Sequence, residues 1–306
     1  MNRPKFIMMC GLVASGKSTK AKKLAKEHNA TIFSSDELRV EMFGDVNDQE
    51  HNQELFVELH KRIKDCLRNG KSAIYDATNL NYKRRMAFLA ELKGIPCYKQ
   101  CVLMATPYEE CLRRNLERER KVPEHVIKKM YFSINIPYQY EGWDHIKIEY
   151  ADGAQDSYGD LCDWVQSVIN YDQHNSHHVL TLGQHCIQTH LNVYKMCKQS
   201  CWLTTAALIH DCGKCRTATF VNSKGIETDE CHYYNHQYAG SYDSLFYGGI
   251  DAPARLYVAI LIMWHMQPYF WEKDNNIKLE NKYLKLWGES LYQDIMKIHT
   301  ADKIAH

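Results

Sequence analysis

The run Gly11-Leu12-Val13-Ala14-Ser15-Gly16-Lys17-Ser18 matches the phosphate-binding pattern G-x-x-x-x-G-K-[ST], with Thr19 directly after it. Backbone N–H groups of such a loop point at phosphate oxygens, and the helix start behind it adds partial positive charge. Gly11, Ala14, Ser15, Gly16, Lys17, Ser18 and Thr19 are therefore the candidate nucleotide-binding set. Lys17 would reach the β- and γ-phosphates, and Ser18 would bind Mg²⁺. ATP or another NTP with Mg²⁺ is the expected cofactor.

A second group of residues has the chemistry of an acceptor site. Ser34-Ser35-Asp36-Glu37 reads as a helix start, with Ser34 as N-cap and Glu37 three residues on. Asp36 and Arg39 then lie one turn apart on one face. A carboxylate there can accept a hydroxyl proton during phosphoryl transfer, and the arginine can hold an anionic acceptor. A purely local role for Asp36, stabilising its helix N-terminus, fits equally well. Asp76, in Asp76-Ala77-Thr78-Asn79-Leu80-Asn81, could be a second acid on Mg²⁺. Arg113, Arg114, Arg118, Arg120 and Lys121 form a basic cluster. The helical reading puts Arg114 and Arg118 on one face, as a lid over the donor phosphates. A solvated face salted with Glu117 and Glu119 is the alternative.

The second half carries different chemistry. Of the sixteen histidines only His28, His51, His60 and His125 precede residue 145. Leu203, Ala206, Ala207 and His210 fall at i, i+3, i+4 and i+7, and so do Val258, Leu261, Ile262 and His265. His185 follows Leu182 by three, and Asp302 sits within the stripe of Leu291, Ile295 and Ile298. A buried, unpaired carboxylate is costly. Histidines and aspartates on core faces make sense if they converge on metal. Imidazole with carboxylate suits Mn, Fe, Co, Ni or Zn.

Alternating elements must position the first set. Short strands are expected at Phe6–Cys10, Ala30–Phe33, Ser72–Tyr75, Cys97–Ala105 and His145–Tyr150. Helices are expected from Ser18 to His28 and near Leu55–Leu67, Tyr82–Leu92, Pro107–Glu119 and Pro123–Ile134. This alternation implies an α/β domain over residues 1–150, with a parallel sheet flanked by helices. A polar stretch, 151–174, reads as a linker with a short helix at Leu161–Ile169. Residues 175–306 read as an all-α domain.

The 306 residues are 45% hydrophobic and 25% charged, as in ordinary globular proteins. That excludes disordered, collagen-like and low-complexity classes. No run of 18 apolar residues occurs, so no membrane span is expected. Phe6–Cys10 is too short for a signal-peptide core, and a cytoplasmic protein with reduced cysteines is expected. The net charge of +1 provides no global attraction for nucleic acid, so any such site must be local.

Residues 1–150 resemble the kinase domain of phage-type polynucleotide 5′-hydroxyl kinases. The shared features are Gly11-…-Gly16-Lys17-Ser18-Thr19, Asp36-x-x-Arg39, Asp76-Ala77-Thr78-Asn79-Leu80-Asn81-x-x-Arg84-Arg85 and Arg113-Arg114-Asn115-x-x-Arg118-x-x-Lys121. The resemblance implies Asp36 as general base, Arg39 on the acceptor phosphate and Arg118, with Arg114, on the donor phosphates. It puts Asn79 and Arg84 on the acceptor side. The phosphatase motif Asp-x-Asp-Gly-Thr of the phage enzymes is absent. Instead, His185, His210-Asp211, His236, His265 and Asp302 resemble the ligand order of HD-domain phosphohydrolases that hold two metals, with Asp211 bridging them. His177, His178 and Lys214 would contact substrate phosphate. The combined resemblance is to bifunctional HD-domain polynucleotide kinases, which place the HD domain first. It implies repair of RNA ends, 5′-OH at one end and 2′,3′-cyclic, 2′- or 3′-phosphate at the other, upstream of an RNA ligase. A nucleoside-type kinase fused to an HD nucleotidase, and an ATP-sensing HD phosphohydrolase, remain the alternatives.

Overall fold

The structure is a computed structural model and describes residues 3–176, 179–199 and 202–305. His177 and His178 lie outside the described residues. The chain forms two compact units, Met1–Met130 with Pro137–Asp152, and Tyr131–Ile136 with Gly153–His306.

The first unit alternates β1 (Lys5–Cys10), α1 (Lys17–His28), β2 (Ala30–Ser34), α2 (Ser35–Phe43), α3 (Asn52–Arg68), β3 (Ser72–Asp76), α4 (Tyr82–Glu91), β4 (Tyr98–Ala105), α5 (Tyr108–Leu116), α6 (Glu124–Tyr131, whose last residue belongs to the second unit) and β5 (His145–Tyr150). The five strands are parallel in the order β2-β3-β1-β4-β5. β1 is central, and Phe6–Cys10 are essentially inaccessible, which explains a continuous apolar run in place of alternation. Helix α3 buries Leu55, Leu59, Ile63 and Leu67 at four-residue intervals. Each such side chain contributes about 1.5–3 kcal/mol of transfer free energy. The Ser34 Oγ accepts from the Glu37 N–H at 3.3 Å, so the expected N-cap of α2 is present.

The second unit contains α7 (Leu161–Ser167), α8 (Leu182–Cys197), α9 (Trp202–Leu208), α10 (Lys214–Thr217), β6 (Thr219–Val221), β7 (Glu227–His232), α11 (His236–Asp243), α12 (Ala252–Trp264), α13 (Gln267–Glu272), α14 (Ile277–Trp287) and α15 (Glu289–Lys303). It is not all-α. β6 and β7 pair antiparallel, closed by the Asn222 N–H on the Ile226 carbonyl at 2.8 Å. β-branched and aromatic residues on either side of an Asn/Gly turn favour this hairpin over a helix. Nor is 151–174 a free tether. Asp160 caps α7, and Val168 packs with Leu182 and Cys186 of α8. No helix among the described residues is long and apolar enough to cross a membrane.

Candidate functional site

The first site lies at the carboxyl ends of β1, β2 and β3. The loop after β1 turns through left-handed conformations at Ala14 (φ 62°) and Gly16 (φ 92°). Gly11 has no room for a side chain, because a Cβ would stand 2.8 Å from Ser15 Oγ and 3.0 Å from Met104 Cβ. The Gly11 N–H donates to the Thr78 carbonyl at 3.1 Å. Ser15 is buried, and its carbonyl accepts from Thr106 Oγ1 at 3.1 Å. Lys17 folds back over the loop and donates to the Gly11 and Leu12 carbonyls at 3.1 and 2.6 Å. Burial pushes its pKa down, against the pull of the Asp76 carboxylate. Ser18 and Thr19 are exposed on the first turn of α1.

Asp76 ends β3 in register with Ser34, two residues before Asp36. The Ser18 hydroxyl lies near enough to the Asp76 carboxylate to favour its ionised form. Burial raises its pKa, Ser18 and Lys17 oppose the rise, and the nearby Asp36 and Glu37 charges add to it. The structure therefore gathers Lys17, Ser18, Asp76 and Asp36 at one sheet edge. Arg114 belongs to this group too, since its Nη1 lies 3.9 Å from the position a Gly16 Cβ would take. So does Arg118, whose charge depresses Lys17. Helix α5 ends at Leu116, however, so Arg118 sits in the exposed segment beyond it and shares no helix face with Arg114.

Two expected acceptor residues, Arg39 and Asn79, bond within the protein itself. Arg39 is 5% exposed, with Nη1 on the Asp48 carbonyl and Nη2 2.9 Å from Asn52 Oδ1. Asn79, at φ 49°, ties the loop to the sheet through Nδ2 on the Met9 carbonyl at 2.8 Å. The Asn79 carbonyl accepts from Arg85 at 2.9 Å, and Arg85 forms a fully buried two-point ion pair with Glu141 at 2.6 and 2.7 Å. Arg84 is exposed at the start of α4. The cation facing Asp36 is Arg120, Nη1 to Oδ2 at 3.1 Å.

The second site lies wholly within the second unit. His185 is on α8, His210 and Asp211 are in the turn between α9 and α10, His236 opens α11, His265 follows α12 and Asp302 is on α15. All six are buried. A Cβ on Gly213 would lie 2.1 Å from the His236 carbonyl, so glycine permits the close approach that sets Asp211 beside His236. Each ring's Nδ1 faces a backbone carbonyl: His185 on Ala305 and His210 on Ala207 at 2.8 Å, His236 on Tyr233 and His265 on Ile262 at 2.7 Å. A carbonyl can only accept, so each Nδ1 carries hydrogen, and in a neutral ring the Nε2 presents its lone pair inward.

Those Nε2 atoms meet in two pairs, His185 with His210 at 3.2 Å and His236 with His265 at 3.3 Å. Asp211 stands between the pairs. Its Oδ2 is 3.5 and 3.4 Å from the first pair, and its Oδ1 is 3.1 and 3.6 Å from the second. Asp302 Oδ1 joins the first pair at 2.9 and 3.4 Å. Two groups, His185–His210–Asp211 and Asp211–His236–His265, could each hold a metal ion. Opposed lone pairs need a cation between them. Without metal, a proton can serve. Burial disfavours the charged His210, yet Asp211 and Asp302 outweigh it and raise its pKa well above the ordinary value.

Lys214 Nζ is 2.7 Å from both Asp211 Oδ2 and Gln173 Oε1, so the substrate-side lysine reaches the cluster. Two contributors were invisible in the sequence pattern, Gln173 and Tyr269. The Tyr269 hydroxyl donates to Asp302 Oδ2 at 2.9 Å, from 33 residues away. Neither lies on a stripe or in a motif that would flag it.

Comparison with known proteins places the first unit. Residues 6–137 match the family model described as an AAA domain. Over 143 residues the chain is 30% identical to an L-seryl-tRNA(Sec) kinase of Methanococcus maripaludis, covering 45% of this chain and 56% of that protein. The chain thus spans little more than half the length of that curated relative. Among solved structures, a candidate kinase from Chloroflexus aurantiacus is 16% identical with a TM-score of 0.43, covering 55% of this chain and 96% of that one. A chain of the Pnkp1/Rnl/Hen1 RNA repair complex is 20% identical with a TM-score of 0.37, covering 42% and 43%. The first unit thus has a five-stranded parallel sheet flanked by helices, as in P-loop kinases, and residues 6–137 of it carry the family match, with β5 lying beyond the matched span.

Proposed function

We propose that this chain is a two-headed enzyme acting on polynucleotide ends, with RNA as the preferred substrate. The N-terminal head would transfer the γ-phosphoryl group of ATP, or another NTP, to a 5′-hydroxyl. Asp36 would take the hydroxyl proton as that oxygen bonds to phosphorus and the bond to the β-phosphate oxygen breaks. Lys17, Arg114 and Arg118 would bind donor phosphates. Ser18 and Asp76 would hold magnesium, which when bound would supply charge neutralisation on those phosphates. The relative that phosphorylates a seryl-tRNA supports an acceptor hydroxyl carried on RNA.

The C-terminal head would remove a 2′,3′-cyclic, 2′- or 3′-phosphate. Asp211 carries this reading, since its two oxygens face separate histidine pairs. One or two divalent transition metals, held by His185, His210, Asp211, His236, His265 and Asp302, would supply Lewis-acid chemistry for phosphoester hydrolysis. Lys214 would place its ammonium beside the departing phosphate. Ends treated by both heads are substrates for an RNA ligase.

The deciding experiment is end-group analysis of an RNA bearing 5′-OH and 2′,3′-cyclic phosphate, incubated with ATP, Mg²⁺ and Mn²⁺. A 5′-phosphate and a 3′-hydroxyl are expected. Phosphorylation of nucleosides alone, with the RNA ends untouched, would select the small-molecule reading. Arg39 gives that reading its support, because the cation expected to hold a polynucleotide phosphate is engaged elsewhere.

A further inference from the structure

Two arginines compete for the role of acceptor cation, and their surroundings differ. Arg39 is buried and both of its Nη atoms are committed, to the Asp48 carbonyl and to Asn52. Its two bonds pin the 45–52 turn to α2, and burial keeps the guanidinium away from a substrate phosphate. Arg120 stands at the surface, with its side chain 31% exposed. Its Nη1 is 3.1 Å from Asp36 Oδ2, its Nε 3.1 Å from Asn47 Oδ1, and its Nη2 3.2 Å from the Val46 carbonyl.

A general base must lie within hydrogen-bond reach of its hydroxyl, so a group 3.1 Å from Asp36 Oδ2 is within roughly 6 Å of the reacting oxygen. That is the reach of one ribose, the distance from a 5′-hydroxyl to the phosphate on the same nucleotide's 3′ side. Two of the three partners of Arg120 are neutral, and the ion pair to the exposed Asp36 is of the weak, water-screened kind. A phosphate can therefore share or displace it. Guanidinium is also the group best shaped to grip phosphate through two N–H bonds.

We propose that Arg120, and not Arg39, binds the first phosphate of the acceptor and makes the kinase head select phosphate-bearing 5′-hydroxyl ends over bare nucleosides. Arg39 is then a positioning residue that holds the turn carrying Asn47. The proposal rests on the kinase reading above.

The test uses the full chain with Arg120→Gln, Arg120→Lys and Arg39→Lys. Transfer is measured with a nucleoside and with the same nucleoside 3′-monophosphate, and binding of a 5′-OH oligoribonucleotide is followed by fluorescence anisotropy at several salt concentrations. Wild type should prefer the 3′-monophosphate. Arg120→Gln should cut that preference by about 10–100-fold, raise the oligonucleotide Kd, and reduce the salt slope by about one phosphate contact. The KM for ATP should move less than twofold, and Arg120→Lys should recover part of the preference. An unchanged preference in Arg120→Gln, or a selective loss in Arg39→Lys in its place, overturns the proposal. Failure of the wild type to bind oligonucleotide overturns it together with the polynucleotide reading. Binding without transfer to any acceptor sinks the kinase reading alone, and the anisotropy comparison of the variants still decides Arg120.

Discussion

His185 and His210 meet Nε2 to Nε2 at 3.2 Å, although each ring has turned its hydrogen-bearing Nδ1 to a backbone carbonyl. Two neutral imidazoles in that arrangement oppose lone pair to lone pair. His236 and His265 repeat it at 3.3 Å, and Asp211 is shared between the two pairs. Such a core is stable only with positive charge at its centre, which makes metal content the first property to measure.

Purified protein should retain one to two transition-metal ions, and Asp211→Ala should lose most of them, because this residue serves both groups. Asp302→Ala should spare the His236–His265 side, since Asp302 approaches only the first pair. Elemental analysis of the three proteins checks this. Equal metal in wild type and Asp211→Ala would contradict the assignment.

Tyr269→Phe should weaken metal binding without unfolding the unit. The Tyr269 hydroxyl donates to Asp302 Oδ2 and leaves Oδ1 for the histidines. Loss of such an outer partner typically costs about 10–100-fold in metal affinity. Competition with a chromogenic chelator measures it. An unaltered affinity would mean that α15 packing alone orients the carboxylate.

Asp36→Asn should keep ATP affinity, because Asp36 faces the acceptor. It should cut phosphoryl transfer by about 10²–10⁴, the usual range for a lost general base. Single-turnover transfer with saturating ATP is the measurement. Near-normal rates would remove Asp36 from the mechanism and leave it as a helix-start carboxylate.

The two heads should be separable. Lys17→Ala removes a phosphate-binding charge in the first unit and touches no ligand of the second, so phosphatase activity should survive. His210→Ala removes a metal ligand and should spare the kinase. Residues in separate cores behave additively, whereas those in one network do not. Circular dichroism near that of wild type is the required control for His210→Ala. If a folded Lys17→Ala protein loses its phosphatase, nucleotide occupancy gates the second site, as in the sensor reading.

The nucleotide loop was legible because its ligands are contiguous. A run from Gly11 to Ser18 between an apolar strand and a helix already dictates backbone donors around a phosphate. The histidine–aspartate cluster was legible for another local reason. A helix repeats every 3.6 residues, so His210, His265 and Asp302 declared themselves by falling on apolar stripes. The same pattern could not tell that the helices before His210 and His265 stop just short of them, at Leu208 and Trp264. It also missed the β6–β7 hairpin, whose residues carry no helical or alternating apolar signature.

Other relationships depended on loops and long-range packing. The sequence placed Arg39 one turn from Asp36, which is true along the helix. The 45–52 turn, however, supplies Asp48 and Asn52 to capture its guanidinium, while the chain after α5 returns Arg120 to Asp36 from 84 residues away. Tyr269 reaches Asp302 across 33 residues, and Gln173 reaches Lys214 across 41. Periodicity assigns a residue to a face. Only the packed chain decides which atom of that residue is already spoken for, because hydrogen-bond partners brought together by tertiary contacts leave no mark on local spacing.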